Sequence, residues 1–335
     1  MLEFCYSYNI KQLKIMKKLT SEEIKCILEV SLKNALGSKF GKLTFLSQSK
    51  LVSDGVSVYQ LHNNENQLDA IVLCSPLNSP NLVMRTVQRS KQAKNFLDLS
   101  TGNHIQEPLF EGEVENLTYS VWPLCYELSK SRLYRKAQNN FLKPVLFNWL
   151  FNVTKCTVDD KDQTSNISKF ILPLEYIASS NVLNDKIRMK ALFALERIST
   201  KEWQPKHVLM HGDLWVGNIL LKKNPNILNT LKPYDNFVVT DWAGSEVKGY
   251  AMYDLIRLAE STNLSSKKIK FEIERHCKLL NCNPVDACSY LLAGLGFIGM
   301  NLENFPLNRF ISMSESCFLT LSKSLDSRIN GLSFD

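Results

Sequence analysis

The sequence predicts an α+β protein built of two lobes, the first rich in β-strands and the second mainly helical. Two observations carry this prediction. Short runs of alternating or β-branched residues occupy the first third of the chain, and apolar residues recur at helical spacing through most of the remainder. A length of 335 residues also exceeds the roughly 150 residues of an average domain, which excludes a single small module.

The first lobe is predicted to begin with an amphipathic helix at residues 20–36. Thr20 followed by Glu23 is a capping-box pattern, and apolar residues then recur at helical spacing as far as Gly37. Short β-rich segments follow, separated by polar turns, and they predict an antiparallel sheet with strands at residues 43–47, 56–61, 70–74 and 82–87. A helix is expected at residues 88–99 and a further strand at 117–124, which Pro123 interrupts.

The second lobe is predicted to be helical with a small β insert. Helical spacing appears at residues 139–153, 169–180, 185–198, 252–260 and 265–280, and in much of the tail after Pro284. Three short strands are expected within this lobe, at residues 207–210, 219–222 and 237–240. The β insert lies close to the residues that carry the chemistry described below.

Composition limits the class of protein without naming its chemistry. The chain is 44% hydrophobic and 22% charged, so it has enough apolar material for a core, which excludes a disordered protein. Nine scattered cysteines in mostly apolar surroundings predict a reduced, cytoplasmic protein. No secretory signal is expected near the start, and the longest apolar stretch, residues 290–300, is about half of the roughly 20 residues of a membrane-spanning helix.

The net charge of +7, from 40 basic and 33 acidic residues, is spread along the chain and is not concentrated in a basic arm. We therefore expect neither a nucleic acid nor a membrane as a partner. The surplus gives mild support to an anionic ligand instead.

The densest chemical signal lies at residues 211–218, with the sequence HGDLWVGN, and it is followed by a strand and later by Asp241-Trp242. Phosphoryl transfer needs a carboxylate that orients an acceptor hydroxyl and takes its proton, together with magnesium that neutralises phosphate charge. Asp213, on a tight loop, can serve as this base. Asn218 and Asp241 offer the hard oxygen ligands that suit magnesium.

The pattern H-G-D-L-x-x-x-N, then a strand and T-D-W, resembles the aminoglycoside phosphotransferase family, a branch of the protein-kinase-like superfamily. The form H-G-D-L-W-x-G-N is especially similar to the fructosamine kinases. The resemblance implies a bilobal fold with a nucleotide-binding lobe at residues 1–121, a hinge at 122–126 and a helical lobe at 127–335 that holds the catalytic loop and the acceptor pocket. It also implies that His211 braces the catalytic loop by hydrogen bonding and that Asp254 anchors it.

Each of these residues also has a plainer interpretation. An aspartate in a glycine-containing turn often bonds its own backbone, and an acidic residue such as Asp254 is common at a helix N-terminus because it interacts favourably with the helix dipole. Their joint occurrence at the family's spacing favours the catalytic interpretation.

The nucleotide-binding residues carry weaker signals. The turn at residues 52–59 resembles a short phosphate-binding turn, in which Gly55 and Ser57 would contact the nucleotide, although an ordinary hairpin has the same pattern. Arg85, on the strand expected at 82–87, resembles the cation that contacts the α- and β-phosphates. Trp122 and Leu124 would contact adenine from the hinge, or Trp122 would be a core aromatic.

One departure from the family stands out. The helix expected at residues 88–99 contains no glutamate that could pair with Arg85, and the nearest acid, Asp98, is typical of a solvated helix residue. This departure keeps two hypotheses open. The first is an ATP- and Mg²⁺-dependent kinase that phosphorylates a hydroxyl of a sugar, amino sugar or related metabolite. The second is a catalytically weak, kinase-like nucleotide-binding protein.

The sequence leaves the acceptor open. Five basic residues lie close together on the helix expected at 265–280, namely Lys267, Lys268, Lys270, Arg275 and Lys278. This arrangement disfavours a polycationic acceptor, although the same residues would also suit a solvated helix face.

Overall fold

A computed structural model of the protein describes residues 20–48, 55–159, 163–223, 236–302 and 305–325. The chain divides into two compact units. Unit 1 comprises Met1–Met84 and Pro108–Leu124, and unit 2 comprises Arg85–Glu107 and Cys125–Asp335. Residues 85–107, which the sequence assigned to the first lobe, therefore cluster with the helical unit.

Unit 1 begins with helix α1 (Ser21–Leu36), as the sequence predicts. The capping box is present: the Glu23 amide donates to the Thr20 hydroxyl at 3.2 Å, and the Thr20 amide donates to the Glu23 carboxylate at 2.7 Å. Leu28 and Leu32 on the inner face of α1 are fully buried in one core with the sheet. The capped end and the apolar face thus fix where this helix starts and what it packs against.

The sheet of unit 1 has five antiparallel strands in the order β1-β2-β3-β5-β4. Their bounds are β1 (Lys42–Gln48), β2 (Ser57–His62), β3 (Leu68–Cys74), β4 (Phe110–Val114) and β5 (Leu117–Pro123). Alternate residues of β2 are buried, which agrees with the period of two seen in its sequence. Tyr59 and Val72 form the centre of this core. The α+β class is confirmed.

The strand predicted at residues 82–87 is wrong, because these residues begin helix α2 (Leu82–Asn95). Val83, Val87, Ser90 and Ala93 are its buried positions, and their spacing of four, three and three is helical. Arg85 consequently lies on a helix. Strand β3, the third strand of the sheet, contains no lysine or arginine.

Unit 2 is mainly helical. Its helices are α3 (Leu99–Gly102), α4 (Arg132–Thr157), α5 (Gln163–Ser179), α6 (Asp185–Ser199), α7 (Ala251–Ser261), α8 (Ser266–Leu280), α9 (Asp286–Met300) and α10 (Leu307–Ser324). Helix α7 is buried along most of its length, with Met252, Leu255 and Ile256 fully enclosed. Helix α9 approaches α5 so closely that a Cβ at Gly296 would collide with the Pro173 carbonyl. Within the described part of the chain, no helix is both long and apolar enough to cross a membrane.

Two small antiparallel ribbons complete unit 2. Strand β6 (Val208–Met210) pairs with β9 (Glu246–Gly249), and β7 (Ile219–Leu221) pairs with β8 (Phe237–Val239). The three strands expected in this region are present, and β9 is an addition. Because β6 leads into residues 211–218 and β8 leads into Asp241, the ribbons bring both segments of the motif to one place.

The hinge expected at residues 122–126 is divided between the two units. Strand β5 continues through Pro123, and Leu124 is the last residue of unit 1. Tyr126 belongs to unit 2, where its amide and carbonyl pair with those of Leu221 at 2.8 and 2.7 Å.

Candidate active site

The expected catalytic loop, residues 211–218, is anchored by a buried carboxylate on α7. Asp254 accepts hydrogen bonds from the backbone amides of His211 at 2.5 Å and Gly212 at 3.1 Å. Burial raises the pKa of Asp254 to about 7, against the opposing effect of these two amides. Gly212 has a φ of 85°, and a Cβ there would collide with the Gly244 carbonyl. Only glycine therefore fits this turn without strain.

Two further side chains on the same face of α7 hold the loop. Arg257 lies with Nη2 3.5 Å from Oδ1 of Asp213, and the Ser261 hydroxyl accepts the Val216 amide at 3.0 Å. Positions 254, 257 and 261 recur at the three- and four-residue spacing of one helix face. This face of α7 therefore contacts the catalytic loop from residue 211 to residue 216. The sequence analysis identified Asp254 but missed Arg257 and Ser261, which the same spacing would have suggested.

His211 is fully enclosed and connects two segments of the site. Its Nε2 lies 2.9 Å from the Thr240 carbonyl, which can only accept, and its Nδ1 lies 3.2 Å from the Asp213 amide, which donates. Both bonds are satisfied by a neutral ring that carries its proton on Nε2. Burial lowers the pKa of His211 to about 4. The imidazole is thus a brace between the loop and Thr240, as the resemblance implied, and not a proton carrier at neutral pH.

We expect His211 to remain neutral down to about pH 4. Its folded-state pKa is depressed below the unfolded value of about 6.5, so the unfolded state binds the proton more readily. The contribution of this group to stability is present above pH 6.5 and is lost as pH falls towards 4. Imidazole ¹⁵N chemical shifts followed between pH 7 and 4 measure this directly, with His211→Gln as the assignment control. A ring that protonates near pH 6.5 would contradict the expectation.

The proposed base, Asp213, faces several hydrogen-bond donors while half of its side chain stays exposed. Asn218 donates through Nδ2 to the Asp213 carbonyl at 2.8 Å and to its carboxylate at 3.3 Å. Burial raises the pKa of the carboxyl, while Arg257, Asn218 and Trp215 lower it. The loop therefore holds an accessible carboxylate in a fixed orientation.

The two expected magnesium ligands are tied together by the backbone. The Thr240 amide donates to the Asn218 carbonyl at 3.0 Å, and Asp241 follows directly, in the left-handed region with a φ of 63° and a ψ of 59°. Burial raises the pKa of Asp241, and the charge of the nearby Asp213 raises it further. Two carboxylates that repel one another in this way favour a cation between them.

The donor set fits magnesium. With Nδ2 of Asn218 turned to Asp213, no described group donates to the Asn218 amide oxygen, which leaves it available as a ligand. Among the described residues there is no group of three or more His, Cys, Asp or Glu that could hold a metal on its own. Asn218 and Asp241 alone would leave most of the coordination shell to phosphate oxygens and water, as magnesium prefers.

An arginine that the sequence analysis did not select contacts the segment after Asp241. Arg89, on α2, donates through Nη1 to the Ser245 carbonyl at 2.8 Å and lies 3.7 Å from the Glu246 carboxylate. These contacts hold the end of the segment that begins at Asp241. Arg85, in contrast, is exposed on the first turn of α2. Its expected contact with the nucleotide phosphates depended on a strand at residues 82–87, and these residues form a helix instead.

The other nucleotide-contact candidates belong to unit 1. Gly55 and Ser57 are buried at the start of β2, and residues 52–54 of the expected turn lie outside the described residues. Trp122 is buried in β5, where its indole donates to the Ser120 hydroxyl at 2.7 Å. Leu124 follows β5 and is half-buried. In the sheet, Ser57 pairs with Cys74 of β3, and Trp122 pairs with Ile71 of β3. The candidates on β2 and those on β5 therefore lie beside different residues of β3.

No family model matches the chain, and no curated protein matches it in sequence. Solved structures do match. A thermostable mutant of aminoglycoside phosphotransferase APH(4)-Ia in the apo form superposes with a TM-score of 0.54 at 14% identity, over 91% of this chain and 99% of the other. A further variant, in a ternary complex with ADP and hygromycin B, gives 0.54 at 15% identity over 89% and 99%.

A third structure of that enzyme, in a ternary complex with AMP-PNP and hygromycin B, gives a TM-score of 0.51 at 16% identity over 88% of this chain and 98% of the other. At such identities the likeness concerns the fold alone. The chain therefore has the aminoglycoside phosphotransferase type of protein-kinase-like fold, which confirms the expectation drawn from the HGDLWVGN motif.

Proposed function

We propose that this protein is an ATP- and Mg²⁺-dependent small-molecule kinase that transfers the γ-phosphate to a hydroxyl of a sugar, amino sugar or related metabolite. The observation that carries the proposal is the grouping of Asp213, Asn218 and Asp241 on two segments braced by His211. A fold kept only for binding has no chemical need for all three. The nucleotide and acceptor complexes of the structurally similar enzyme support the proposal by analogy of fold.

In the proposed reaction Asp213 orients the acceptor hydroxyl and takes its proton as the new bond to the γ-phosphorus forms. The bond from the γ-phosphorus to the β–γ bridging oxygen breaks, and ADP leaves. Asn218 and Asp241 would hold magnesium, which supplies charge neutralisation on the phosphates. Asp254 and His211 keep the loop in place through backbone contacts and exchange no proton with the acceptor.

A second candidate is a kinase-like protein that binds nucleotide and transfers phosphate weakly or not at all. One observation favours it: β3 contains no basic residue and α2 contains no glutamate, so neither member of the usual cation–glutamate pair is present at these positions. Binding without transfer to any acceptor would support this candidate over the kinase.

Nucleotide binding is tested first by thermal unfolding. A ligand that binds only the folded state stabilises it by about 2.7 kcal/mol at 100 times its Kd, so we expect Mg²⁺ with AMP-PNP to raise the Tm by about 5 °C or more. Asp241→Asn should remove the part of the shift that depends on Mg²⁺ and keep the part that AMP-PNP gives alone. Asp185→Asn, on the exposed first turn of α6, is the matched control.

The absence of any shift with Mg²⁺ and AMP-PNP would contradict nucleotide binding. Transfer of labelled γ-phosphate to a panel of sugars and amino sugars then separates the kinase from the binding protein. Transfer that occurs only to a protein acceptor would contradict the small-molecule assignment.

A further inference from the structure

Arg257 lies next to the proposed base, Asp213, and its position bears on which acceptor the protein would bind. Arg257 lies 3.5 Å from the Asp213 carboxylate, and its side chain is only 23% exposed. Its Nε is buried and has no hydrogen-bond partner among the described residues. The two terminal nitrogens of an arginine carry four of its five N–H donors, and Nη2 of Arg257 lies beside the carboxylate that would receive the acceptor's proton.

The two other acids on α7, Asp254 and Glu260, are hydrogen-bonded elsewhere, although the charges of both interact with Arg257. Glu260 accepts hydrogen bonds from the hydroxyls of Ser316 at 2.7 Å and Thr320 at 2.9 Å, and from the Cys317 thiol at 3.3 Å. These donors all lie on α10. Asp213 is thus the carboxylate that contacts Arg257 within the described part of the chain.

A second group of cations lies past the C-terminal end of α7. Lys143, on α4, donates to the Asn263 carbonyl at 3.5 Å. Burial lowers the pKa of Lys143, and the charge of Lys268 on α8 lowers it further. Asn263 follows α7 two residues after Ser261, which contacts the catalytic loop.

We propose that the acceptor is an alcohol that carries a carboxylate or a phosphate group and that Arg257 is the specificity residue that binds this anionic group. The inference rests on the proposed kinase function. Because Arg257 adjoins Asp213, the anionic group would lie close to the phosphorylated hydroxyl. A guanidinium forms paired hydrogen bonds with either kind of anion, and Lys143 adds positive charge past the C-terminal end of α7.

This assignment disfavours acceptors that are cations. An ammonium group placed near the reacting hydroxyl would face Arg257 and would be repelled. In the transfer step Arg257 neither gains nor loses a proton: the hydroxyl proton passes to Asp213, and the phosphoryl group passes from ATP to the acceptor oxygen. Arg257 therefore acts by binding the acceptor and not by acid–base chemistry.

The test compares acceptors of related structure that carry a negative, a neutral or a positive group. With labelled ATP and Mg²⁺, phosphate transfer is measured to glycerate, glycerol and 3-amino-1,2-propanediol, and to glucose 6-phosphate, glucose and glucosamine. We expect kcat/KM to be at least about 10-fold higher for an anionic member than for its neutral and cationic counterparts. The first series probes a carboxylate and the second a phosphate.

Arginine variants then assign the preference to one side chain. Arg257→Met should lower the ratio of kcat/KM for the preferred anionic acceptor to kcat/KM for its neutral counterpart by about 10- to 100-fold, the range for a lost hydrogen bond to a charged group. Arg257→Lys should retain part of the preference. Arg275→Met is the matched control, because Arg275 on α8 contacts Asn148 at 2.8 Å and the Phe151 ring and does not contact the catalytic loop.

A binding measurement covers the case in which none of the six probes is phosphorylated. With saturating Mg²⁺ and AMP-PNP at constant ionic strength, glycerate or glucose 6-phosphate should raise the Tm of the wild-type protein but not that of Arg257→Met. Equal use of all charges, a preference for the cationic members, or no Tm shift with either anion when none is phosphorylated would overturn the inference alone. If Mg²⁺ and AMP-PNP did not raise the Tm of the wild-type protein, the proposed function would be overturned, and this inference with it.

Discussion

Asp213→Asn is expected to lower the rate of phosphate transfer from ATP by about 10²- to 10⁴-fold, the usual contribution of a general base. Asparagine has nearly the same size and can keep contact with Asn218, but it cannot take the acceptor's proton. The initial rate with labelled ATP measures the effect. Nucleotide binding, followed by thermal unfolding, should change little.

A surface variant provides the comparison for this result. Asp185 is 89% exposed and, within the described part of the chain, forms an ion pair with Arg188 on its own helix, so Asp185→Asn should transfer phosphate at the wild-type rate. If Asp213→Asn transferred phosphate at the wild-type rate, another group would have to be the base.

The second large effect is expected on stability, from Asp254→Ala. The substitution leaves the buried amides of His211 and Gly212 without their acceptor, and each unsatisfied buried donor costs about 1–3 kcal/mol. We therefore expect the free energy of unfolding to fall by about 2–6 kcal/mol and phosphate transfer to be lost. Urea denaturation followed by circular dichroism measures the first effect.

Two comparisons separate the loss of these hydrogen bonds from other causes. Asp254→Asn keeps the size and one acceptor oxygen, so it should fall between the wild-type protein and Asp254→Ala. Asp185→Ala breaks only an exposed ion pair and should cost less than about 1 kcal/mol. An Asp254→Ala protein that is as stable and as active as the wild type would show that the loop does not depend on this anchor.

Much of the fold was predictable because its local signals agree with its packing. The capping box at Thr20 and the alternation in β2 gave α1 and the centre of the sheet. The error at residues 82–87 came from a run of Leu-Val-Met, which satisfies a strand as well as a helix when it is read alone. Only the longer spacing through Val87, Ser90 and Ala93 distinguishes the two.

Strand β4 was missed for a different reason. It lies at the edge of the sheet, next to β5, and none of its residues is fully buried, so the sequence lacks the alternation that a half-buried strand shows. What stabilises β4 is its backbone pairing with β5, and backbone hydrogen bonds leave little trace in side-chain identity.

The residues of the candidate site also differ in whether a local sequence pattern predicts them. Asp213, Asn218 and Asp241 could be selected because they lie in a recognisable motif, and the role implied for His211 agrees with its two hydrogen bonds. Arg257 could have been suggested by its position one helical turn after Asp254. Arg89 could not be selected, since it reaches the site from a helix distant in sequence, and an arginine on a helix is commonly a solvated residue. Its contacts depend on tertiary packing, which the sequence does not display.

The face of α7 that carries Asp254, Arg257 and Ser261 belongs to a helix whose other residues form the centre of unit 2. The position of the catalytic loop therefore depends on the packing of the hydrophobic core. We therefore expect the proposed phosphate transfer and the folded state to be lost together on heating. The activity that remains after a heat treatment should then equal the fraction of molecules that are still folded. A substitution deep in this core would then lower the proposed phosphate transfer without changing any residue that is proposed to react.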